Sequence, residues 1–417
     1  MKIVHVNFWD KKGGAAIAAN RLHKAMINHG IDSKMLVFDK LYDNDNSVTT
    51  INTFFNKLIV SFFNIIESRQ LVKFRPFIGN FSISSLGLDI SKLKIINDAD
   101  VLYLHWINNN FISISTINKL LKLGKPVVWF LHDMWPMTGG CHHSFECNKY
   151  QSKCESCDLL KSTKKKDISF QNFNKKLSLF GTKYNLEIIT PSIWLGDCAK
   201  KSTLFKNQKI SIIPNLIDVS IFKKINKQYA REFLNLPQNK KLILFGADMG
   251  ENNPYKGWSY LSKALELLDN NYVLVSFGGD LKNSIIAKGS KEVYSIGKLF
   301  DDCSLSLLYN ACDVFAMPSL AEAFGQTALE SISCGTPVVG FDIGGIPDIV
   351  DHKVTGYLAK YKNANDLSIG IKWVLENPEY DKLSKTCQSY ALTKFSSKHV
   401  VEQHLNLLKE SLKINCV

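Results

Sequence analysis

Two Rossmann-like α/β domains facing each other across a cleft are the fold class this sequence predicts, and three observations carry the prediction. The chain has 417 residues, enough for two domains of ordinary size. Short apolar runs alternate with stretches of helical periodicity, and the alternation restarts once, near residue 240. Such alternation builds parallel sheets with helices on both faces. The residues of chemical interest fall just after the apolar runs, where open parallel sheets bind their ligands.

The first round opens with KIVHVNF (residues 2–8), a run with strand character. After Gly13-Gly14 comes AAIAANRLHKAMINHG, in which Ala18, Leu22, Ala25 and Met26 share a helical face and Gly30 is the stop signal. SKMLVF (33–38), ADVLYLHW (99–106), KPVVWFLHD (125–133), LEIITPS (186–192) and KISIIPN (209–215) read as further strands. The second round starts at KKLILFGAD (240–248). It continues with a helix WSYLSKALELL, a strand NYVLVSFGGD, a helix LSLLYNACD, a strand VFAMPS, a helix TALESISCG and a strand PVVGFD. The expected domains are 1–222, with a Cys-rich insertion at about 139–160, and 223–394. Residues 395–417 form a C-terminal helix expected to cross back to the first domain.

Composition narrows the function classes. Apolar residues make up 45% and charged residues 21%, which argues against disorder. No basic, apolar and small-residue sequence of regions opens the chain, so a cytoplasmic protein is expected, with most of its ten cysteines reduced. The longest apolar stretch, INTFFNKLIVSFFNII (51–66), is interrupted by Lys57 and too short to span a bilayer. Net charge is +13 and uneven: residues 1–200 hold 26 Lys and Arg against 16 Asp and Glu, the remainder 25 against 22. A basic first half suits an anionic partner such as nucleic acid, a membrane surface or a phosphate-rich ligand; plain solubility is the competing explanation.

The richest stretch is MPSLAEAFGQTALESISCGTPVVGFDIGGIPDIV (317–350). An apolar strand runs into a loop carrying Glu322, then Phe324, Gly325 and Gln326, then a helix carrying Glu330. Two carboxylates eight residues apart can bracket a diphosphate ligand, and amides at a helix start can hold its oxygens. In order and spacing this stretch resembles the nucleotide-sugar segment of retaining glycosyltransferases of family 4, which have the GT-B fold. The resemblance extends to IIPNLID (212–218), NPYKGW (253–258) and HKVTGYLA (352–359). It implies that Glu322 contacts donor sugar hydroxyls and counts with the catalytic residues. It also implies that Glu330 holds the ribose, that Phe324, Gly325 and Gln326 face sugar and phosphate through their amides, and that Lys256 pairs with the diphosphate. One departure stands out. The Arg usual after this domain's first strand is missing from FGADMGEN, which leaves Lys256 alone or with help from Lys298.

In the first half, Gly14 opens a helix after a strand, where backbone can approach a ligand closely. His132 ends the strand PVVWFL; the resemblance implies a position near the donor sugar, orienting and stabilising without being an obligatory base. Just beyond it, Cys141, Cys147, Cys154 and Cys157 follow the spacing C-x5-C-x6-C-x2-C. The C-x2-C end suits half of a structural zinc site, and reduced thiols are the other reading. The pattern HDMWPMTGGCH with its cysteines resembles a family 4 subgroup that includes enzymes of colanic acid and O-antigen assembly. The expected function is therefore transfer of a sugar from a UDP- or GDP-sugar to a polyprenyl-diphosphate-linked glycan at the inner face of the cytoplasmic membrane. The residues 54–77 would rest on anionic lipid or pair as core helices. No cofactor beyond the zinc is expected, and no nucleic acid. A GT-B nucleotide-sugar epimerase and a zinc-stabilised nucleic-acid binder are the alternatives.

Overall fold

The computed structural model describes residues 1–41, 44–74, 79–248, 250–269, 272–279, 281 and 292–411. The chain divides into two compact units: Met1–Asn215 with Val400–Val417, and Leu216–His399. Asn271 and Asp280 of the expected strand NYVLVSFGGD, Met249, the end of the aromatic stretch at 75–77 and the last residues, 412–417, lie outside the described residues.

The first unit holds seven parallel strands: β1 (Lys2–Trp9), β2 (Asp32–Asp39), β3 (Val48–Thr50), β4 (Val101–Leu104), β5 (Val127–Phe130), β6 (Leu186–Thr190) and β7 (Lys209–Ile212). Their order is β3-β2-β1-β4-β5-β6-β7. β4 and β5 are buried along their whole length, as continuous apolar runs in a sheet covered on both faces must be. The helix Gly14–Asn28 turns Ala18, Ala19, Leu22, Ala25 and Met26 inward, as its spacing predicts. Ser113, Asp167 and Ser192 cap later helices by accepting from amides two or three residues into the first turn.

The second unit holds six parallel strands: β8 (Lys241–Gly246), β9 (Tyr272–Phe277), β10 (Val293–Ser295), β11 (Val314–Met317), β12 (Val338–Phe341) and β13 (Gly356–Ala359). Their order, β10-β9-β8-β11-β12-β13, repeats the doubly wound pattern of the first unit. One apolar layer gathers Leu242, Leu244, Phe315 and Val338 with the helices Asp302–Ala311 and Gln326–Ser333. The opposite layer gathers Ile243, Phe245 and Val339 with Trp258–Glu266 and Ala364–Leu375.

Two sequence expectations need revision. β3, β10 and β13 were not among the expected strands; β3 and β10, at three residues each, are too short to show a period. The helix Phe54–Leu71 is not a core helix: only Val60 and Leu71 are buried, while Phe54, Phe55, Leu58, Phe62 and Ile65 are exposed.

Candidate active site

In a doubly wound sheet the chain leaves the central strand in both directions, which opens a crevice at the carboxyl ends where the order reverses. In the second unit that point lies between β8 and β11. The loop after β8 carries Lys256 and the loop after β11 carries Glu322, and the structure pairs them: Lys256 Nζ donates to Glu322 Oε2 at 3.0 Å. Both side chains are partly exposed. The two loops are bound by backbone, since Leu320 N–H donates to Tyr255 O at 2.7 Å. Gly257, at φ 64°, fits only without a side chain: a Cβ there would stand 1.9 Å from Pro318 O. Gly344 plays the same part for Glu322, whose carbonyl oxygen would be 2.0 Å from its Cβ. The glycines of CGTPVVGFDIGGIP thus hold the carboxylate loop by close approach.

The helix Gln326–Ser333 begins at this crevice, behind Gly325 at φ 110°. Phe324 is buried and packs edge-on to Phe395, so its ring belongs to the core and only its backbone can serve a ligand. Gln326 Oε1 and Nε2 are buried with no hydrogen-bond partner. Glu330 is buried, and Tyr309 Oη donates to its Oε2 at 3.0 Å. A buried carboxylate held by a hydroxyl donor suits a hydroxyl-bearing ligand better than open solvent does. Lys298 Nζ pairs with Asp248, two residues beyond β8, at 2.8 Å.

In the first unit the reversal lies between β1 and β4. Gly13 stands at φ 85°, and Gly14 begins the following helix, fully exposed. A Cβ added at Gly14 would meet nothing within 4 Å, so the protein itself makes no steric demand there. His132 follows β5. Its Nε2 meets His105 Nδ1 at 2.9 Å, and His105 Nε2 meets His5 Nδ1 at 2.9 Å. Burial lowers the pKa of His132 to about 4, against the opposing pull of Asp133, and lowers His105 and His5 well below the ordinary imidazole value.

Asp133 is held by three donors: Trp106 Nε1 at 2.9 Å, Trp135 N–H at 2.8 Å and His142 Nδ1 at 2.6 Å. His142 Nε2 in turn lies 2.9 Å from Ser82 Oγ. His142 therefore braces Asp133 and does not join the cysteines. Among the described residues no group of three or more His, Cys, Asp or Glu side chains is placed to hold a metal. Cys141, Cys147, Cys154 and Cys157 are free. Gly139 N–H donates to Cys154 Sγ at 3.2 Å, and burial pushes the Cys141 thiol up to about 12 and Cys154 and Cys157 upward.

His5, His105 and Tyr309 were absent from the sequence-predicted set. His105 had a signal: ADVLYLHW and KPVVWFLHD both close an apolar run on Leu-His; Leu104 is level with Trp129, so His132 stands two places beyond the position level with His105, an even offset that keeps both on one face of the sheet.

Comparison with known proteins follows this geometry. Residues 226–393 match the family described as Glycosyl transferases group 1. An uncharacterized glycosyltransferase of Methanocaldococcus jannaschii is 27% identical over 48% of this chain and 51% of its own length. An uncharacterized 41.2 kDa protein in the cps region of Klebsiella pneumoniae is 24% identical over 53% and 61%. The chain thus spans about half the length of the curated relatives it matches. Among solved structures, sucrose-phosphate synthase from Thermosynechococcus elongatus superposes with TM-score 0.68 at 16% identity, covering 99% of this chain and 100% of that one. Anabaena HepE, solved with UDP and glucose, gives 0.64 at 16% over 98% and 100%. WaaG, a glycosyltransferase involved in lipopolysaccharide biosynthesis, gives 0.63 at 15% over 98% and 100%. These likenesses are of fold: two Rossmann-like domains of GT-B type. The match to the group 1 glycosyl transferases lies within the second unit.

Proposed function

We propose that this protein is a retaining glycosyltransferase of family 4 that moves a sugar from a UDP- or GDP-sugar to a growing, lipid-linked bacterial surface glycan. The observation that carries the reading is the pairing of Lys256 with Glu322 beside the helix Gln326–Ser333. A nucleoside diphosphate gains charge as the glycosidic bond breaks, and a nearby ammonium and the first amides of a helix are groups that stabilise it. In this reading Lys256 leaves Glu322 for the diphosphate, with Lys298 as a second cation. Glu322 is then free for sugar hydroxyls. Glu330 holds the ribose, and the amides of Phe324, Gly325 and Gln326 face phosphate and sugar. In the first unit Gly14 serves the approach of ligand backbone-on, and His132 orients the reacting groups.

The cps-region relative and the lipopolysaccharide assignment of WaaG support a surface-glycan acceptor, in line with the O-antigen and colanic acid resemblance. No described helix is long and apolar enough to cross a membrane. The exposed aromatic face of Phe54–Leu71, with Lys57 and Arg69 on the same helix, supports peripheral contact with an anionic inner leaflet. No nucleic acid enters the reading. Structural zinc is a separate proposal resting on cysteine spacing alone: about one zinc per chain without added metal keeps it, and a metal-free chain of full stability leaves four thiols.

The test is nucleotide titration and acceptor-free hydrolysis of UDP- and GDP-sugars, followed by His132→Ala. One nucleotide should bind, its sugar conjugate should be hydrolysed, and His132→Ala should lower turnover by roughly 10²-fold while nucleotide binding stays. If neither nucleotide binds, the reading falls.

A further inference from the structure

A line of three imidazoles runs through the first unit's sheet. His5 lies on β1, His105 just past β4 and His132 just past β5, and these strands are neighbours. The two N···N distances are both 2.9 Å. The rings stack in sequence, with centroids 5.2 Å apart at each step and planes inclined by 23° and 27°. His5 is 0% exposed and His105 3%. The inner end of the line is blind, because His5 Nε2 is buried without a hydrogen-bond partner. The outer end is partly exposed at His132, whose Nδ1 makes no hydrogen bond among the described residues and is not sealed from solvent.

A neutral imidazole has one N–H and one bare nitrogen. Each N···N contact needs one of each. With all three rings neutral, only two arrangements satisfy both contacts. In one, the protons point outward: His5 Nδ1–H donates to His105, His105 Nδ1–H donates to His132, and His132 carries its own proton on Nδ1, at the exposed end. In the other, they point inward: His132 and His105 donate from Nε2, and the last proton sits on His5 Nε2. Any mixture faces two protons or two lone pairs at 2.9 Å. The inward arrangement buries an N–H with no acceptor, and an orphaned buried N–H is rarer in proteins than an under-used acceptor. The outward arrangement leaves only an unused lone pair at the blind end and gives the last N–H to solvent or ligand.

We propose that His105, with the blind end of the line behind it at His5, is a positioning residue that fixes His132 as its Nδ1–H tautomer through this imidazole chain. His132 then offers a hydrogen-bond donor, and not a base, to whatever lies at the end of β5. This rests on the reading above for its link to turnover, since a donor at that point stabilises an oxygen that gains charge as the sugar leaves. The tautomer itself does not depend on that reading.

The test uses full-length protein labelled with 15N-histidine. Long-range 1H–15N spectra distinguish a protonated Nδ1 from a protonated Nε2 on each ring. The wild type should show His132 protonated on Nδ1 and bare on Nε2. His105→Phe, which keeps a stacked ring without nitrogen atoms, removes the N–H that donates to His132 Nε2 and should shift His132 toward a mixture with Nε2–H. A merely structural His105 would leave that tautomer unchanged. If His105→Phe does not fold, His105→Leu should produce the same shift, and His105→Asn, whose amide can donate to His132 Nε2, should keep more of the Nδ1–H form. UDP release from UDP-glucose is read alongside. His105→Phe should lower turnover roughly 10-fold or more, with the UDP-glucose KM held within about twofold. Finding His132 protonated on Nε2 in the wild type overturns the proposal, as does an unchanged tautomer in the folded variants. A tautomer that shifts while turnover does not keeps the chain of imidazoles and removes His132 from the reaction.

Discussion

Lys256 and Glu322 neutralise each other at 3.0 Å, so a donor diphosphate has to displace a carboxylate to gain its cation. An exchange of partners favours a charge that outbids a single carboxylate, as a diphosphate does. Lys256→Ala should lower turnover at least 10²-fold, and Lys256→Arg should keep an intermediate rate because the charge survives with altered geometry. Steady-state rates on the preferred nucleotide sugar check this, and full activity in both variants would move the diphosphate partner elsewhere. Glu330 differs in being buried and bonded to Tyr309. Glu330→Gln should cost nucleotide binding roughly 1–3 kcal/mol by calorimetry, while Tyr309 keeps an acceptor and the fold survives. The placement of Lys256 in the loop after β8, and of Glu322 and Glu330 in the loop and helix after β11, was legible because each motif fixes order along its own strand and loop. The buried state of Glu330 was not, since a carboxylate's burial depends on Tyr309, 21 positions earlier. The imidazole chain was legible only in part: the twin Leu-His strand ends were visible, but the third ring sits inside β1, where nothing local marks it.

At the scale of elements, apolar runs and periodicity placed the helix Gly14–Asn28 and the fully buried strands, and missed β3, β10 and β13 together with the helices Ile168–Phe180, Ala364–Leu375 and Tyr380–Phe395. The loop that leads into the cysteines is held by contacts that spacing along the chain does not show. Lys176, buried on the helix Ile168–Phe180, donates to Trp135 O and Thr138 O and lies 3.6 Å from the Trp135 ring centroid. Burial lowers its pKa to about 7. Lys176→Met keeps the bulk but orphans two carbonyls, and should destabilise the first unit by roughly 2–4 kcal/mol, read as a lower melting temperature. An unchanged melting temperature would mean that water replaces the ammonium. The helix Phe54–Leu71 makes an independent prediction. Replacing exposed Phe55 and Phe62 by Ser should leave the fold unchanged but cut sedimentation with phosphatidylglycerol vesicles several-fold. Equal sedimentation would remove that helix from any membrane contact.

At the scale of the whole molecule, the two units share a doubly wound plan but differ in where their histidines lie. The second unit's two, His352 and His399, are exposed. The first unit buries His5, His23, His105 and His404, each at most 3% exposed. Burial lowers His23 to about 4 and His404 to about 3, and lowers His5 and His105 as well. In the unfolded chain each of these rings titrates near 6.5. A depressed folded pKa means that the unfolded state binds more protons between the two values, so the folded state loses stability as pH falls through that window. The contribution is fully present above about 7 and is lost progressively toward 4. For His23 and His404 the loss between pH 7 and pH 5 is about 2 kcal/mol each by linkage, before any coupling among the rings. Calorimetry at pH 7 and pH 5, in buffers of equal ionic strength, should therefore show the first unit's transition falling by several degrees while the second unit's stays nearly fixed. His23→Gln, which can keep its hydrogen bonds to Ser33 and Ser47, should flatten that slope by the share of one ring. A first-unit transition that does not move between pH 7 and pH 5 would mean that water or rearrangement relieves the buried rings when they charge.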